Sequence, residues 1–431
     1  MKTILDFLLN LIFVFAVAFI WLMLIYQFIL TLAGFRGRQR QRRQGGAEND
    51  IAEDQLPAVS LLIPARNEEQ VIGQTLKRMR ELDYPHDKLE IIVVNDNSQD
   101  RTREIVKRLA SQDSRIRLLE MPADQSGRGK SQVLNLAWRQ AAHDIIAVYD
   151  ADNIPEKDAL KKLCQALVAD PRLAAVTGKF RAYNRNRNVL TRMINIESVA
   201  FQWIIQAGRW QLLKISMLPG TNFVIRKPVL QAIGGWDTKA LTEDSELTYR
   251  VYERGYLIRF LPSSVSWEQE PENWREWFKQ RIRWARGNNY IVAKHKLKPG
   301  RARVPRPARE LLNLFYLYYF FIFAILFSDL TFILALLKLI RIRLIGPFAE
   351  LWALAFLLFV LEIMIALAYE REDTVTNLLV AVLAYITYTK LWVVVVLRAL
   401  YLDVWRRSPS VWLKTERFPL ATEKKSRQHR Q

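Results

Sequence analysis

A short apolar run that ends in two acidic residues lies near the middle of the chain, IIAVYDAD at residues 145–152. Its apolar, β-branched composition predicts a strand buried on both faces, which is typical of a parallel sheet. Asp150 and Asp152 follow this strand directly. Two neighbouring carboxylates repel each other unless a cation lies between them. The run therefore predicts a central strand of an α/β sheet with a cation site at its carboxyl end.

Four further apolar runs predict strands of the same sheet, and helical patterns separate them. The strands are predicted at 59–63, 89–94, 116–119 and 174–176, and the helices at 69–82, 101–110, 131–141 and 157–169. Strands that alternate with helices predict an α/β fold with a mostly parallel sheet and helices on both faces. Ligands bind such sheets at the carboxyl ends of the strands. That edge is where a site is expected.

Polar clusters follow three of these strands. They are PARNEE at 64–69, NDNSQD at 95–100 and the DAD of 150–152. A single cluster of this kind often only turns the chain and caps the next helix, but three of them converge on one edge. Oxygen ligands select Mg²⁺ or Mn²⁺, which takes its remaining ligands from water and substrate phosphates. The clusters predict a divalent-cation site for a substrate that carries a diphosphate.

The composition and the glycine pattern exclude several classes of protein. The single cysteine, Cys164, excludes a disulfide framework and a multi-cysteine metal site. The loop GRGKS at 127–131 has Asp124 where a P-loop needs its first glycine, and Gln132 where a dinucleotide-binding loop needs its third. Lys130 in this loop is a candidate for a phosphate or base contact. None of the four histidines is assigned a role.

Long apolar runs at both ends of the chain predict membrane spans. Residues 5–35 contain three strongly polar side chains, and a span needs only about 20 apolar residues. This run is too long for the core of a signal peptide, so it predicts an anchor. Four more runs lie at 311–328, 330–345, 348–369 and 378–397. The first two together are long for one span and short for two, which leaves three or four C-terminal spans.

Most of the net charge of +20 lies in three basic segments beside the apolar runs, at 36–43, 294–309 and 401–431. The positive-inside rule places all three in the cytoplasm and favours four C-terminal spans. On that count the acidic segment 370–373 faces outside, whereas Arg341 and Arg343 face inside. The basic segments suit contact with anionic membrane lipids, and they are not an indication of nucleic acid.

These features divide the chain into six predicted regions. They are an N-terminal transmembrane anchor at 1–35, a basic and polar linker at 36–56, a cytoplasmic α/β domain at 57–272, an interfacial amphipathic helix with a basic linker at 273–310, a transmembrane bundle at 311–400 and a basic cytoplasmic tail at 401–431.

Four more motifs lie in the second half of the α/β domain and the helix after it. They are PGTN at 219–222, GGWD at 234–237, TED at 242–244 and QRIRW at 280–284. On a helix Gln280 and Trp284 share a face, and a tryptophan on such a face suits the stacking of a sugar ring. The same helix has an aromatic and basic stripe that includes Trp277 and Arg281, which is typical of a helix docked on a membrane surface. Both interpretations hold together if the site lies against the bilayer.

Taken in this order, the motifs between about residues 59 and 290 resemble the family 2 glycosyltransferases. Within that family they resemble the membrane-embedded group that includes the synthases of cellulose, hyaluronan, chitin and poly-N-acetylglucosamine. The resemblance implies a GT-A fold, a UDP-sugar donor, Mg²⁺ or Mn²⁺ as cofactor, and inversion at the anomeric carbon. The family commonly has glycine after the acidic pair at the second strand end, where this chain has Asn97.

The resemblance also implies roles for individual residues. Asp244, beside Glu243, matches the general base that removes the proton from the acceptor hydroxyl. Asp150 would face the UDP, and Asp152 would ligate the metal next to it. The residues that would line the nucleoside pocket are Pro64, Arg66, Glu68 and Asp96, with Lys130 nearby. Those that match the element for the diphosphate and the acceptor end are Gln280, Arg283 and Trp284.

These roles predict a multi-pass polysaccharide synthase of the plasma (inner) membrane with a cytoplasmic catalytic domain. It would use UDP-N-acetylglucosamine, with UDP-glucose as the next choice, to elongate a β-linked polymer of a biofilm or cell envelope and pass it through the membrane. Its partners would be the donor, the growing polysaccharide, membrane lipids and, where a second membrane must be crossed, an export or accessory subunit. Two alternatives stay open, namely transfer of a single sugar to a membrane lipid and an inactive membrane scaffold.

Overall fold

A computed structural model of the chain describes residues 2–43, 52–296, 305–339 and 348–406. Contacts within the chain divide it into two units. The sheet unit contains the described residues 52–184 and 217–279, and the helical unit contains 2–43, 185–216, 280–296, 305–339 and 348–406. Most of the predicted basic linker near residue 300 and the tail beyond residue 406 lie outside the described residues.

The described residues form eight strands. They are β1 (Val59–Ala65), β2 (Leu89–Asn95), β3 (Ile116–Glu120), β4 (Ile145–Val148), β5 (Ile154–Pro155), β6 (Leu173–Ala182), β7 (Phe223–Arg226) and β8 (Leu257–Glu268). β1 to β4 and β6 are the strands that the sequence predicts, and β4 has the bounds of the apolar run IIAV at 145–148. The other three were missed because β5 and β7 are short and because Pro262 and three serines interrupt the apolar pattern of β8.

The strands form one sheet in the order β3-β2-β1-β4-β7-β6-β8-β5. β1 is parallel to β2 and β4, and β2 is parallel to β3. The carboxyl ends of these four strands therefore lie at one edge of the sheet. β7 is antiparallel to β4 and β6, β5 is antiparallel to β8, and β6 is parallel to β8. The α/β fold is confirmed; the first half of the sheet is parallel, and antiparallel pairs make the second half mixed.

Fourteen α-helices occur in the described residues. They are α1 (Lys2–Arg43), α2 (Ile72–Arg80), α3 (Thr102–Ala110), α4 (Lys130–Gln140), α5 (Ala159–Ala169), α6 (Val189–Ala200), α7 (Ala207–Leu213), α8 (Lys227–Ala232), α9 (Glu243–Glu253), α10 (Trp274–His295), α11 (Arg306–Leu336), α12 (Phe348–Tyr369), α13 (Val375–Ile386) and α14 (Tyr388–Leu400). A short π-helical segment, Phe201–Gln206, joins α6 to α7, and another, Tyr401–Trp405, follows α14. Residues 36–43, predicted as linker, continue α1 because arginine and glutamine are good helix formers.

Three helices are long and apolar enough to cross a membrane, judged by length and composition over the described residues. They cover Phe7–Arg40, Arg306–Ala335 and Glu350–Tyr369. Val375–Ile386 and Tyr388–Trp405 meet the same criterion as a pair bent by 41°, which is either a broken span or a re-entrant loop. The helical unit thus offers up to four candidate spans.

Helix α11 differs from the expected four C-terminal spans. It continues without a break through Asp329, which separates the first two apolar runs of the sequence. The Asp329 carboxylate is 2.8 Å from the ammonium group of Lys390 in α14. A charge with an opposite partner can remain inside an apolar helix. The C-terminal candidates among the described residues are therefore α11, α12 and the bent pair.

The acidic segment 370–373 also differs from its expected place. Arg38, near the C-terminal end of α1, donates a hydrogen bond to the carbonyl of Tyr369 at the C-terminal end of α12 (2.8 Å). The ring of Phe35 stacks on that of Tyr369, with 6.2 Å between the centroids. The acidic turn therefore lies at the arginine-rich end of α1, and the expectation that these two segments face opposite sides is wrong. Arg341 and Arg343 lie outside the described residues.

Residues 185–216 interrupt the sequence of the α/β domain, yet they belong to the helical unit. Asn188 caps α6, because its side chain accepts the Thr191 N–H while Thr191 Oγ1 accepts the Asn188 N–H. Two acidic residues of the turn after α12 bind this segment, since Trp203 Nε1 donates to Glu370 (2.7 Å) and Asn195 Nδ2 donates to Glu372 (2.7 Å). No motif in the sequence predicts this association.

Candidate active site

The turns after β1 and β2 are tied together by hydrogen bonds. The Asn67 N–H donates to Ser98 Oγ (3.0 Å), and the Gln99 N–H donates to Asn67 Oδ1 (2.8 Å). Asn67 and Asn97 have left-handed φ angles of 53° and 49°. Asparagine adopts this conformation more readily than most residues. Asn97 thus takes a conformation to which glycine is suited, and the departure from the family pattern does not disturb the turn.

Asp96, at the end of β2, connects the first group of predicted site residues. Its buried carboxylate accepts the Gly127 N–H (3.0 Å) and lies 3.4 Å from Arg66 Nη1. Gly127 has a φ of 72°, and a Cβ on it would come within 3.0 Å of Arg66 Nη1. Pro64 and Glu68 lie two residues before and after Arg66 at the end of β1. The structure therefore brings the predicted nucleoside-pocket residues to one edge of the sheet.

Lys130 connects the second group, which consists of acidic residues. Its ammonium nitrogen is 2.5 Å from Asp150 Oδ1 and 3.7 Å from Glu243 Oε1, and it donates to the Gly220 carbonyl (2.8 Å). Burial by itself lowers the pKa of Lys130, but the charges of Asp150, Glu243 and Asp244 outweigh it and raise that pKa above its usual value. Lys130 is therefore a permanent cation among carboxylates that would otherwise repel one another.

Gly220 of the PGTN motif allows Asp244 and Lys130 to approach each other. A Cβ on Gly220 would lie 3.0 Å from Asp244 Oδ2 and 3.5 Å from Lys130 Nζ, and its φ of 82° is strained for other residues. Asp244 stands in the first turn of α9, where an acidic side chain is stabilised by the helix dipole. The other carboxylate oxygen, Oδ1, accepts the Ser245 N–H (2.7 Å). The predicted base thus lies in the Lys130 cluster.

Asp150 and Asp152 are held by the turn that follows β4. Thr221 Oγ1 accepts the Asp150 N–H (3.1 Å) and donates to Asn153 Oδ1. Ser266 in β8 also donates to Asn153 Oδ1 (3.2 Å). The Asp152 side chain is buried, and that of Asp150 is 30% exposed. The turn is therefore anchored by its buried neighbours and presents one carboxylate outward.

This donor set fits a magnesium or manganese site that is completed by a substrate. In the described part of the chain, no group of three or more His, Cys, Asp or Glu residues could hold a metal ion alone. Mg²⁺ is usually held by one or two carboxylates together with water and substrate phosphates. Asp150 and Asp152 supply two carboxylates, and the Lys130 contact indicates that a cation is accepted beside Asp150.

The GGWD motif supports the helix that begins at Lys130. Asn135 in α4 accepts the Trp236 N–H through Oδ1 (2.9 Å) and donates to the Trp236 carbonyl through Nδ2 (2.8 Å). Gly235 has a φ of 76°, and a Cβ on it would lie 2.4 Å from Asn135 Oδ1, so a side chain would not fit. The motif, for which the sequence suggested no role, thus fixes the position of α4.

Gln280, Arg283 and Trp284 lie on the part of α10 that belongs to the helical unit. Trp284 is 36% exposed, whereas Trp277 and Arg281 are 0% and 1% exposed. The prediction that the whole aromatic stripe faces a membrane is therefore wrong at these two positions. A buried guanidinium must be paired, and the Arg281 side chain donates to Glu197 Oε2 (2.6 Å). The sequence pattern placed Arg281 in the membrane-facing stripe and did not indicate Glu197, because their ion pair joins segments far apart in the chain.

Comparisons with known proteins identify the family. A family model described as "Glycosyltransferase like family 2" matches residues 57–287. Over 414 residues the chain is 43% identical to the "Probable glycosyltransferase YdaM" of Bacillus subtilis, and the match covers 95% of this chain and 98% of that protein. The chain belongs to glycosyltransferase family 2. As a family 2 glycosyltransferase, it is a transferase that uses a nucleotide sugar.

Two further similarities concern more distant proteins. This family 2 glycosyltransferase is 31% identical over 243 residues to the "Poly-beta-1,6-N-acetyl-D-glucosamine synthase" of Staphylococcus aureus, which is 56% of this chain and 57% of that protein. A solved structure of the mannosyltransferase PcManGT from Pyrobaculum calidifontis, in complex with GDP-Man and Mn²⁺, matches with a TM-score of 0.54 at 24% identity, over 84% of this chain and 99% of the other. This likeness shows a GT-A-like fold.

Proposed function

We propose that this family 2 glycosyltransferase is an inverting, metal-dependent enzyme that elongates a β-linked polysaccharide at the membrane and couples elongation to translocation. The observation that carries the transfer step of the proposal is the cluster of Asp150, Glu243 and Asp244 around the Lys130 ammonium group. It lies by the strand end that binds ligands in sheets of this type. Sugar transfer by a single displacement needs one base and cationic groups for the leaving diphosphate. The cluster contains groups of both kinds.

Asp244 is the proposed general base, with Glu243 beside it. The acceptor oxygen would attack the anomeric carbon from the side opposite the UDP while the carboxylate takes the hydroxyl proton. The bond from the anomeric carbon to UDP breaks as the new bond forms, so this single displacement inverts the configuration. The nucleoside would bind near the Asp96 and Arg66 pair, with Pro64 and Glu68 at the same strand end. This arrangement is supported by the loop from Gly127 to Lys130, because its first residue binds Asp96 and its last reaches the carboxylate cluster.

Asp150 and Asp152 would hold the proposed Mg²⁺ or Mn²⁺. When bound, the ion would supply positive charge to the diphosphate as UDP leaves. Lys130 is a second cation near the same carboxylates, and Gln280, Arg283 and Trp284 keep the role that the family resemblance gives them at the diphosphate and the acceptor end. A planar guanidinium such as that of Arg283 can bind a diphosphate through two parallel hydrogen bonds.

UDP-N-acetylglucosamine is the proposed donor, with UDP-glucose as the next choice. Support comes from the similarity to the Staphylococcus aureus synthase, whose name states its product, poly-β-1,6-N-acetyl-D-glucosamine. The match covers 57% of that protein.

A multi-pass location in the plasma (inner) membrane, with the catalytic site in the cytoplasm, completes the proposal. It is supported by the candidate spans in α1, α11 and α12 and by the arginines at the end of α1. If that end of α1 is cytoplasmic, then the neighbouring end of α12 is cytoplasmic as well. A re-entrant arrangement of the α13–α14 pair would then keep the basic C-terminal segment on the same side. Growing polysaccharide, membrane lipids and an export or accessory subunit are the proposed partners.

The donor and the metal are tested with the purified full chain in lipid nanodiscs. UDP release is measured with UDP-N-acetylglucosamine and with UDP-glucose, each with Mg²⁺, with Mn²⁺ and with EDTA. The proposal predicts faster release from UDP-N-acetylglucosamine and loss of release with EDTA. Release that persists in EDTA would contradict the metal assignment, and faster release from UDP-glucose would contradict the choice of donor.

A further inference from the structure

Glu197 in α6 lies where three segments of the helical unit meet. Its Oε2 accepts hydrogen bonds from Arg281 in α10 (2.6 Å) and from the Tyr388 hydroxyl in α14 (2.6 Å). Its Oε1 accepts a hydrogen bond from Trp392 Nε1 (2.9 Å). Both oxygens are thus engaged, by groups whose sequence positions are more than 80 residues from Glu197. Such a carboxylate fixes the position of its partners more strongly than a surface ion pair does.

Arg281 transmits this restraint to the QRIRW element. Its guanidinium carbon is 4.0 Å from the centroid of the Trp284 ring, and its Nη1 donates to Gln280 Oε1 (2.9 Å). The Arg281 side chain is 1% exposed, so it has no freedom to reorient in solvent. A planar guanidinium stacks on an aromatic ring and still donates at its edge, which an ammonium group cannot do. Arg281 therefore contacts two of the three residues that the family resemblance places at the acceptor.

We propose that Glu197 and Arg281 are positioning residues that hold Trp284 and Gln280 in the orientation needed to bind the acceptor glycan. This inference rests on the proposed function, because it takes the acceptor role of Trp284 and Gln280 from it. The segment between β6 and β7 contributes to this arrangement, because its helix α6 brings the Glu197 carboxylate to α10. Trp284 is 36% exposed, so part of its ring is open to a sugar while Arg281 holds it.

The first arm of the test follows the Trp284 ring directly and needs no activity. The full chain is labelled with 5-fluorotryptophan in lipid nanodiscs, and the Trp284 resonance is assigned with Trp284→Phe. Arg281→Lys keeps the charge but loses the planar stack, and Glu197→Gln loses the carboxylate. Both are expected to shift or broaden the Trp284 resonance. Arg286→Lys is the matched control on the same helix, because it also replaces a guanidinium by an ammonium group, at an arginine that pairs with Asp403 (2.6 Å).

The remaining tryptophan resonances show whether each variant is folded. If Glu197→Gln does not fold, Arg281→Lys and the charge-conserving Glu197→Asp still give a result. A Trp284 resonance that is unchanged in Arg281→Lys would overturn the proposal. This arm gives its result whether or not the donor and the reaction have been identified correctly, so its failure differs from a failure of the proposed function.

The second arm tests the consequence for the acceptor. With UDP-N-acetylglucosamine and an N-acetylglucosamine oligosaccharide, Arg281→Lys is expected to raise the KM for the oligosaccharide by about fivefold or more and leave the KM for the donor within about twofold. It should also increase the fraction of donor that is hydrolysed, because water replaces the misplaced hydroxyl. A resonance shift with an unchanged acceptor KM would overturn the acceptor role. If the parent releases no UDP from this donor, the proposed function fails on its donor and the first arm alone decides the positioning.

Discussion

The ammonium group of Lys130 makes the acidic cluster compatible with a folded protein. It lies within 4 Å of Asp150 and Glu243, and Gly220 lets the Asp244 carboxylate come close as well. Buried charges are tolerated only where opposite charges and hydrogen bonds compensate for lost hydration. The sequence motifs indicated the acidic residues of the cluster, and they made Lys130 a candidate for a phosphate or base contact. They could not show that this lysine binds the acids themselves, because 20 residues separate Lys130 from Asp150 and more than 100 separate it from Glu243.

Asp244→Asn tests the proposed base. Because the amide cannot accept the proton of the acceptor hydroxyl, we expect turnover to fall by about 10²- to 10⁴-fold while donor binding is retained. UDP release and binding of the donor by calorimetry are the measurements. Glu253→Gln, at the other end of the same helix, is the control and should keep turnover within about twofold of the parent. Normal turnover in Asp244→Asn would end the assignment.

Lys130→Met tests the cation in the cluster. Loss of the ammonium group leaves Asp150 and Glu243 to repel Asp244, so a divalent cation should bind more tightly and stabilise this variant more than the parent. A ligand at about 100 times its Kd stabilises a protein by about 2.7 kcal/mol, which corresponds to several degrees. The measurement is the change in unfolding temperature between EDTA and Mn²⁺. Lys227→Met is the control, because Lys227 donates to the Ala141 carbonyl (2.6 Å) outside the cluster. An equal Mn²⁺ effect in Lys130→Met and the parent would contradict this account.

The strands and helices that carry the first half of the site follow from local pattern. β1, β2 and β4 are short β-branched runs with polar turns behind them, and the structure places these turns together as predicted. Two of the wrong predictions have a common cause, which is pairing between distant residues. Asp329 seemed to end a helix because its partner Lys390 could not be identified from sequence. Arg281 seemed to face a membrane surface because Glu197 lies 84 residues away.

Close packing of α1 against the segment 185–216 depends on glycines. A Cβ on Gly208 in α7 would lie 2.5 Å from the Leu30 carbonyl oxygen in α1, and one on Gly34 in α1 would lie 2.8 Å from the Trp203 carbonyl oxygen. Small residues allow helix backbones to approach in this way, above all in membranes. Residues 185–216 are therefore held to α1 by close backbone contact, in addition to their hydrogen bonds with the acidic turn after α12.

Gly208→Ala tests this packing. The added methyl group must displace the backbone of α1, so we expect the free energy of unfolding to fall by about 1–3 kcal/mol. The apparent unfolding temperature in detergent is the measurement. Gly73→Ala in α2 is the matched control, because its Cβ would make only an ordinary 3.5 Å contact and alanine favours a helix. Equal unfolding temperatures in the two variants would show that α1 and α7 do not depend on the close approach.

Contacts within the helical unit indicate which of its segments share a side of the membrane. Arg38 binds the end of α12 through a hydrogen bond and lies 4.7 Å from the Tyr369 ring centroid. The arginine-rich end of α1 and the acidic turn should therefore be on one side of the membrane. Charge counting in the sequence placed them on opposite sides, because it could not detect that acidic residues of this turn are bound by Trp203 and Asn195.

Single cysteines at positions 40 and 373 test this orientation. We expect Arg40→Cys and Asp373→Cys to be protected from a membrane-impermeant maleimide in intact cells and to be labelled together after permeabilisation. The native Cys164 is buried and should stay unlabelled in the folded protein. Labelling of Asp373→Cys in intact cells, with Arg40→Cys protected, would show that the two segments face opposite sides.

The size of the sugar product tests the central claim most directly, that this enzyme extends a polysaccharide. The purified chain in nanodiscs is supplied with Mg²⁺ and UDP-N-acetylglucosamine, and the products are separated by mass beside those of Asp244→Asn. The account predicts a ladder of growing N-acetylglucosamine oligomers with the parent and none with the variant. A single sugar attached to a lipid would contradict elongation, and an undiminished ladder with Asp244→Asn would contradict the site.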